Sequence, residues 1–252
     1  MEGPQIRIYR DRLRRLAGRP IVAVAGERAA AAEPFVGRPL PRAQSRGKLL
    51  YLRFGAEALR IHCLMFGDVR VNESRAGKRL TLRLSLPRDF VEVSLGAVSR
   101  VPAAQVDQVP RTLDVIDRSW DPAAAWRKAR RELSDAFLTD ALLDQSVFPG
   151  LGNKIKNEAL FAARLHPMQK LRDVTGLEAQ VLMSAVRDVA RLMYRRFAAG
   201  QQIQPVMQVY RRRTCPVCGG RVVKQDLGAL NRRNHFCPQC QPLRPTPRPR
   251  AR

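Results

Sequence analysis

Four cysteines near the end of the chain constrain its fold more than any other feature. Cys215-Pro-Val-Cys218 is followed, after eighteen residues, by Cys237-Pro-Gln-Cys240. Each C-x-x-C pair lets one tight turn present two thiolates, and two such turns complete a tetrahedron around one ion. The spacing predicts a single structural Zn2+ in a four-cysteine zinc ribbon, with the intervening residues forming a hairpin. Four sulfurs fill the coordination sphere, so the metal is a staple and not a Lewis acid. The fifth cysteine, Cys63, lies in the apolar stretch LRIHCLMFG and reads as a small buried side chain. An odd cysteine count opposes a disulfide framework. The start, MEGPQIRIYRDRLRR, is charged at once and offers no apolar export segment. The expectation is a cytoplasmic protein, associated with the nucleoid if bacterial.

Charge points to the partner. The 252 residues carry 46 Lys+Arg against 22 Asp+Glu, a formal net charge of +24. Such a surface calls for an anionic partner, with nucleic acid the first choice. Residues 201–252 hold eleven Lys+Arg and one acid, Asp226. Apolar residues make up 45%, enough for real cores and against a disordered chain. No apolar run approaches the ~18 residues of a membrane-crossing helix, so no membrane partner is expected. A monomer is expected.

Local patterns divide the chain into four. Residues 5–17 read as a helix, with Pro4 suited to its first turn and Gly18 as its stop. From Ile21 to about Arg100, short β runs follow one another. Leu80, Leu82, Leu84 and Leu86 alternate with Thr81, Arg83 and Ser85, the pattern of a half-buried strand. Trp120-Asp121-Pro122 opens a helical region reaching Asp144, a second helix starts near Gly152, and a third begins at a Thr175-x-x-Glu178 capping box. Leu182, Val186, Val189 and Met193 give the third helix a core face. The fold class is therefore α+β and multidomain. A helix plus β-sandwich spans 1–112, a helical domain 113–205, the zinc ribbon 206–242, and a basic, Pro/Arg-rich disordered tail 243–252.

The string LDQSVFPGLGNKIKNEALF (143–161) carries a second signal. A helix ends, a turn with Pro149, Gly150 and Gly152 follows, and a basic helix begins at Asn153. Helix N-termini present unpaired N–H groups that suit a phosphate. Asn153 adds a side-chain donor, and Lys154 and Lys156 add charge. A plain helical hairpin with glycines for close packing is the competing reading.

With these residues in view, the chain resembles the formamidopyrimidine-DNA glycosylase and endonuclease VIII family. Four blocks agree in order: Glu2-Gly3-Pro4, Arg46-Gly47-Lys48 before a strand, the helix–two-turn–helix of 143–161, and the ribbon of 215–240. The run Lys156–Phe161 is most similar to the endonuclease VIII-like branch. The resemblance implies a bifunctional glycosylase and abasic-site lyase acting on oxidised bases in damaged DNA, duplex or single-stranded. The N-terminal amine would attack the sugar C1′ and form a Schiff base, with β-elimination cutting the strand. An α-amine has an ordinary pKa of about 7.7–8.0, so a useful neutral fraction exists near neutrality. Glu2 would serve as acid and base on the sugar, and Lys48 would contact the backbone at the lesion. Asn153 and Arg232 would hold the kinked strand, with Arg233 the near rival of Arg232. Met65 would fill the gap left by the flipped nucleotide, its alternative being ordinary core.

One departure matters. The resembled family usually starts Met-Pro-Glu-Gly-Pro and uses proline as nucleophile, whereas this chain starts Met1-Glu2-Gly3-Pro4. A methionine before glutamate is retained, so Met1 occupies the nucleophile's place and its primary amine can still form a Schiff base. The alternative is a non-catalytic damaged-DNA-binding protein of the same fold that has lost its nucleophile. A metal-dependent nuclease is disfavoured, since no carboxylate cluster suited to Mg2+ stands out.

Overall fold

A computed structural model describes residues 1–244; the expected tail therefore lies outside the described residues from 245 on. The chain divides into two compact units, Met1–Pro110 and the remainder from Arg111. The helical segment and the ribbon thus share one unit.

The first unit opens on α1 (Gly3–Leu13). It starts two residues earlier than the pattern suggests. Gly3 and Pro4 fit its first turn because N–H groups there have no intrahelical acceptor, and Gln5 N–H and Ile6 N–H close onto the Glu2 carbonyl. The last expected turn is instead a 3-10 turn over Arg14–Leu16. Ile6, Tyr9, Leu13 and Leu16 bury one face of this segment against the sheets.

Eight strands follow: β1 (Ala23–Ala25), β2 (Gln44–Arg46), β3 (Leu49–Phe54), β4 (Glu57–His62), β5 (Asp68–Val71), β6 (Leu80–Ser85), β7 (Phe90–Ser94) and β8 (Ala97–Pro102). They form two antiparallel four-stranded sheets, ordered β1-β6-β7-β5 and β2-β3-β4-β8. Leu50, Leu52, Leu59 and Ile61 from one sheet share a core with Leu82, Leu84, Val91 and Val93 from the other, the β-sandwich expected. The leucine alternation holds from Leu82 onward. It fails at Thr81, which is buried because a bulge between Leu80 and Leu82 shifts the register. The buried Thr81 hydroxyl is satisfied by Gly96, accepting from its N–H and donating to its carbonyl.

The second unit holds α2 (Pro122–Glu132), α3 (Leu138–Ala141), α4 (Asn153–Ala162), α5 (Gly176–Ala198) and the hairpin of β9 (Val223–Leu227) and β10 (Arg232–Phe236). Asp121 caps α2 by accepting from Ala123 and Ala124 N–H, both at 2.9 Å. The continuous helical region expected to Asp144 breaks after Leu133. Segment 134–137 bonds instead to 170–172: Arg172 N–H donates to Ser134, Leu171 N–H to Ala136, and Phe137 pairs with Lys170. The capping box is present on α5, with Glu178 N–H bonded to Thr175 Oγ1 and Thr175 N–H to the Glu178 carboxylate. Leu182, Val186 and Met193 are fully buried on that helix, whereas Val189 is only half-buried.

The buried Glu158 of α4 ties the helices to the chain entering the ribbon. Its carboxylate accepts the N–H groups of Gln208 (2.7 Å), Val209 (3.0 Å) and Tyr210 (2.7 Å). Hydrogen bonds to a charged group contribute about 1.5–3 kcal/mol each, and stranded donors add a penalty. Glu158→Ala should destabilise the second unit by about 3 kcal/mol, roughly 6–12 °C in its melting temperature. Glu158→Gln, which keeps one acceptor oxygen, should lose less. Differential scanning calorimetry checks both; a shift below about 2 °C for the alanine variant, by the same scaling, would count against this anchoring role.

Candidate active site and nucleic-acid interface

In the first unit the chain start is fixed by the loop after β4. The Met1 amine donates to the Leu64 carbonyl at 3.3 Å. That loop turns tightly, with Leu64 in the left-handed region (φ 49°) and Gly67 N–H closing onto the Cys63 carbonyl at 2.8 Å. A side chain at Gly67 would put its Cβ 2.5 Å from that same oxygen, so only glycine fits. Glu2 immediately follows the amine and is 5% exposed at the mouth of α1.

Lys48 reaches the same neighbourhood through register. Gly47 takes a positive φ of 54°, the β2–β3 turn closes, and Leu49 then pairs with His62 on β4. His62 lies close enough to both cations to feel them. Burial, then the Met1 amine, Lys48 and Arg60, hold its pKa below the usual histidine value. Sequence reasoning missed this histidine; the available signal was its position on the strand facing Lys48. Cys63 is buried as expected, and its thiol is pushed up to about 12 by burial, with the amine opposing and Asp68 adding to the shift. It remains a protonated thiol at neutral pH.

Met65 is 67% exposed, which removes the core reading. Phe66, not singled out from sequence, is 71% exposed beside it. Arg75 holds the tip by donating from Nη1 to the Phe66 carbonyl at 2.9 Å. Two large apolar side chains thus project from a loop whose backbone also receives the amine.

The second unit carries the remaining residues. The turn before α4 is ordered by Asp144, which accepts from Ser146, and by Gln145, which bonds to Leu143, Gly150 and Leu151. Asn153 sits at the first position of α4, with its Nδ2 donating to the Arg233 carbonyl at 2.8 Å. Lys154 Nζ lies 6.0 Å from the centre of the Tyr210 ring. Lys156 corrects the expectation made for it. It is 0% exposed, and its Nζ donates to Thr139 Oγ1 at 3.0 Å, so it cannot reach a phosphate. It is a strut: Thr139 Oγ1 donates in turn to the buried Asn234 on β10.

The ribbon separates the two rival arginines. Arg233 is bound in a fork to Asp226, with Nη2 to Oδ2 at 2.7 Å. Arg232 is exposed on the other face of β10, next to the hairpin turn. That turn is held by Asp140 of α3, which accepts from Ala229 N–H (2.9 Å) and Leu230 N–H (3.1 Å). Gly228 there has φ 78°, and a Cβ would strike the Asp140 carboxylate.

The four cysteines converge. All four sulfurs lie within 4.8 Å of one another, with Cys215 to Cys240 at 3.7 Å and Cys218 to Cys237 at 3.4 Å. Tetrahedral zinc with Zn–S bonds of about 2.3 Å places its sulfurs about 3.8 Å apart, so the set fits that ion. Burial raises the Cys215 thiol, but the N–H groups of Cys218 and Val217 outweigh it and bring it down to about 7, toward the thiolate a metal needs. Gln241 supports the site, its Oε1 accepting from Cys237 N–H and its Nε2 donating to the Leu165 carbonyl. Among the described residues, no helix is long and apolar enough to cross a membrane.

Known proteins resemble this chain in sequence and in fold. A family model described as the formamidopyrimidine-DNA glycosylase H2TH domain matches residues 116–203. Endonuclease 8-like 3 of Mus musculus is 35% identical over 218 residues, covering 84% of this chain. The chain spans only 36% of that relative's length. Formamidopyrimidine-DNA glycosylase of Thermomicrobium roseum is 30% identical over 237 residues, covering 79% of this chain and 81% of its own. A solved complex of the Lactococcus lactis Fpg with DNA containing an abasic site aligns over 96% of this chain and 100% of that one, with TM-score 0.83 and 20% identity.

The cysteine geometry predicts one zinc per chain, measurable by atomic emission. Stripping it with a strong chelator should unfold the 206–242 module, because small metal-stapled modules fold with their ion. Amide NMR signals from β9 and β10 should collapse while those of the sandwich stay dispersed. Persistence of dispersed ribbon signals in the metal-free protein would refute a structural staple.

Proposed function

The chain belongs to the formamidopyrimidine-DNA glycosylase and endonuclease VIII-like family, and from that premise we propose that it excises oxidised bases and cleaves abasic DNA by β-elimination through the Met1 amine. The observation that carries this reading is the meeting of three features in the first unit. The amine is held by the Leu64 carbonyl, the buried Glu2 adjoins it, and Lys48 and the amine both act on His62.

In the proposed sequence the neutral amine attacks C1′ of a flipped nucleotide, and the base departs with the electrons of its bond to C1′. Loss of a proton from nitrogen and opening of the sugar give the Schiff base. Removal of a C2′ proton then expels the 3′ phosphate. Glu2 manages the proton on the sugar, a role suited to a carboxylate held beside the nucleophile. Lys48 and the half-buried His62 meet the backbone at the lesion. Met65 and Phe66 supply apolar bulk for the space the nucleotide vacates, which lowers the cost of unstacking. Asn153, Lys154 and Arg232 grip the strand from the second unit. The relative solved with abasic-site DNA supports that substrate class. In this assignment 1–112 carries the chemistry, 113–205 and the 206–242 ribbon the grip, and the net charge of +24 most of the affinity.

Borohydride trapping on an abasic oligonucleotide tests the proposal. A covalent adduct should form, and mass spectrometry should place it on the Met1 peptide. Glu2→Gln should lower base excision and strand cleavage by about 10²–10⁴-fold, the usual scale for losing a general acid–base, while leaving binding intact. No adduct would leave a damaged-DNA binder without lyase chemistry, and an adduct mapped to another amine would take the nucleophile's role from Met1 while keeping the lyase step. Replacing Met65 and Phe66 together by Ala should slow excision from duplex DNA and spare cleavage of a pre-formed abasic site in single-stranded DNA. Equal losses on both substrates would remove the gap-filling role.

A further inference from the structure

The ribbon has a second basic face that the proposed reaction does not use. Side chains on the hairpin alternate, and cross-strand partners share a face. Arg232, Asn234 and Phe236 therefore lie on one side, with Asn234 and Phe236 packed against Thr139 and His166. Arg233 and His235, opposite Asp226 and Lys224, lie on the other. There they line a cavity of about 550 Å³ with Tyr210, Arg211 and Arg213.

His235 marks this cavity as a site and not only a charged surface. It is 4% exposed, yet neither Nδ1 nor Nε2 has a hydrogen-bond partner among the described residues. Buried polar groups are almost always paired, and an exception that lines a cavity is explained by a group bound there. The surrounding charge says which sign that group has. Arg233 is already neutralised by Asp226, and Arg212 turns away to bond the Met207 and Pro205 carbonyls. Arg211, Arg213 and Lys224 remain, around an imidazole that can donate one hydrogen bond.

We propose that this cavity binds phosphates of nucleic-acid backbone, separately from the Asn153–Arg232 grip, and so holds strand that extends beyond the lesion. A linear polyanion fits better than a small free anion. A second cavity of about 700 Å³ shares Arg213 and Lys224 with the first and adds Arg221. The cations thus run on from one cavity to the residues of the next, as an extended backbone requires. The Tyr210 ring is already met by Arg211 at 5.5 Å and Lys154 at 6.0 Å, so charge and not base stacking dominates. The inference rests on the family's nucleic-acid partner and not on the lyase step.

The zinc-loaded full chain should be compared with Arg213→Gln/Lys224→Gln and with a control, Arg118→Gln/Arg191→Gln, that removes the same charge from exposed positions elsewhere. Each is titrated, by anisotropy, with a short abasic-analogue duplex and with the same duplex carrying a single-stranded tail. The pocket variant should bind the tailed DNA with a salt slope lower by about 1.4, two phosphate contacts on single-stranded DNA. It should bind and trap the short duplex as wild type does, which separates this inference from the catalytic one. Inorganic phosphate should shift the His235 ring signals in NMR spectra of the wild type and not of the pocket variant. An unchanged slope on tailed DNA, a control that lowers it equally, or a silent His235 signal would overturn the proposal.

Discussion

The buried polar run Lys156-Asn157-Glu158 on α4 is the constraint on which the second unit depends. Three successive residues of one helix reach three parts of the chain that surround it. Lys156 meets Thr139 and, through it, Asn234; Asn157 Oδ1 accepts the backbone N–H of His235; Glu158 collects the amides of 208–210. Successive helical positions point about 100° apart, so such a run fans out and cannot serve a single face. The helix therefore lies in a polar socket made by α3, the ribbon and the segment leading to it. Removing one partner from a buried network strands the others, which makes this joint specific as well as stable. Its consequence for function is geometric. Asn153 begins the helix that the socket grips and bonds to the Arg233 carbonyl, so helix start and ribbon are held as one surface.

The first unit solves a different problem, that of fixing the end of a chain. A terminus is ordinarily the least ordered part of a domain. Here Pro4 and the helix start at Gly3 set the direction of residues 1 and 2, Met1 packs on the sandwich core, and the amine is bonded to Leu64. The loop that accepts this bond is itself over-determined, by Gly67 against Cys63 and by Arg75 against Phe66. Amine and apolar tip therefore share one rigid support. The proposed nucleophilic role of the amine would benefit from such support, since an error of about 1 Å costs orders of magnitude in rate.

Much of this was legible in the sequence because it depends on local rules. Ligand spacing foretold the converging sulfurs, the Thr175–Glu178 box foretold the start of α5, and strand alternation foretold the sandwich. What was not legible depends on distant partners. Lys156 looks like Lys154 in a string of letters, yet one is buried against Thr139 and the other lies near the Tyr210 ring. The break after Leu133 arises from hydrogen bonds to residues 170–172, which no pattern within 120–144 contains. Met65 and Phe66 carry the hydrophobicity of core residues, and only the tight turn around Gly67 turns them outward.

Choosing between Arg232 and Arg233 is a question of register, and register is where the metal and the grip connect. A slip of one residue in the hairpin would exchange its two faces and present Arg233 where Arg232 now stands. Two local features oppose that slip. Asp140 holds the turn through Ala229 and Leu230 N–H, and Gly228 admits the carboxylate only in that position. At the other end Cys237 follows β10 directly, so its sulfur reaches the cluster only in one register. A zinc ion without chemistry of its own would thus decide which arginine faces the strand and which stays with Asp226 beside the second basic face. Under the proposed function, such a staple would set recognition by fixing a β-strand that would otherwise be free to slide.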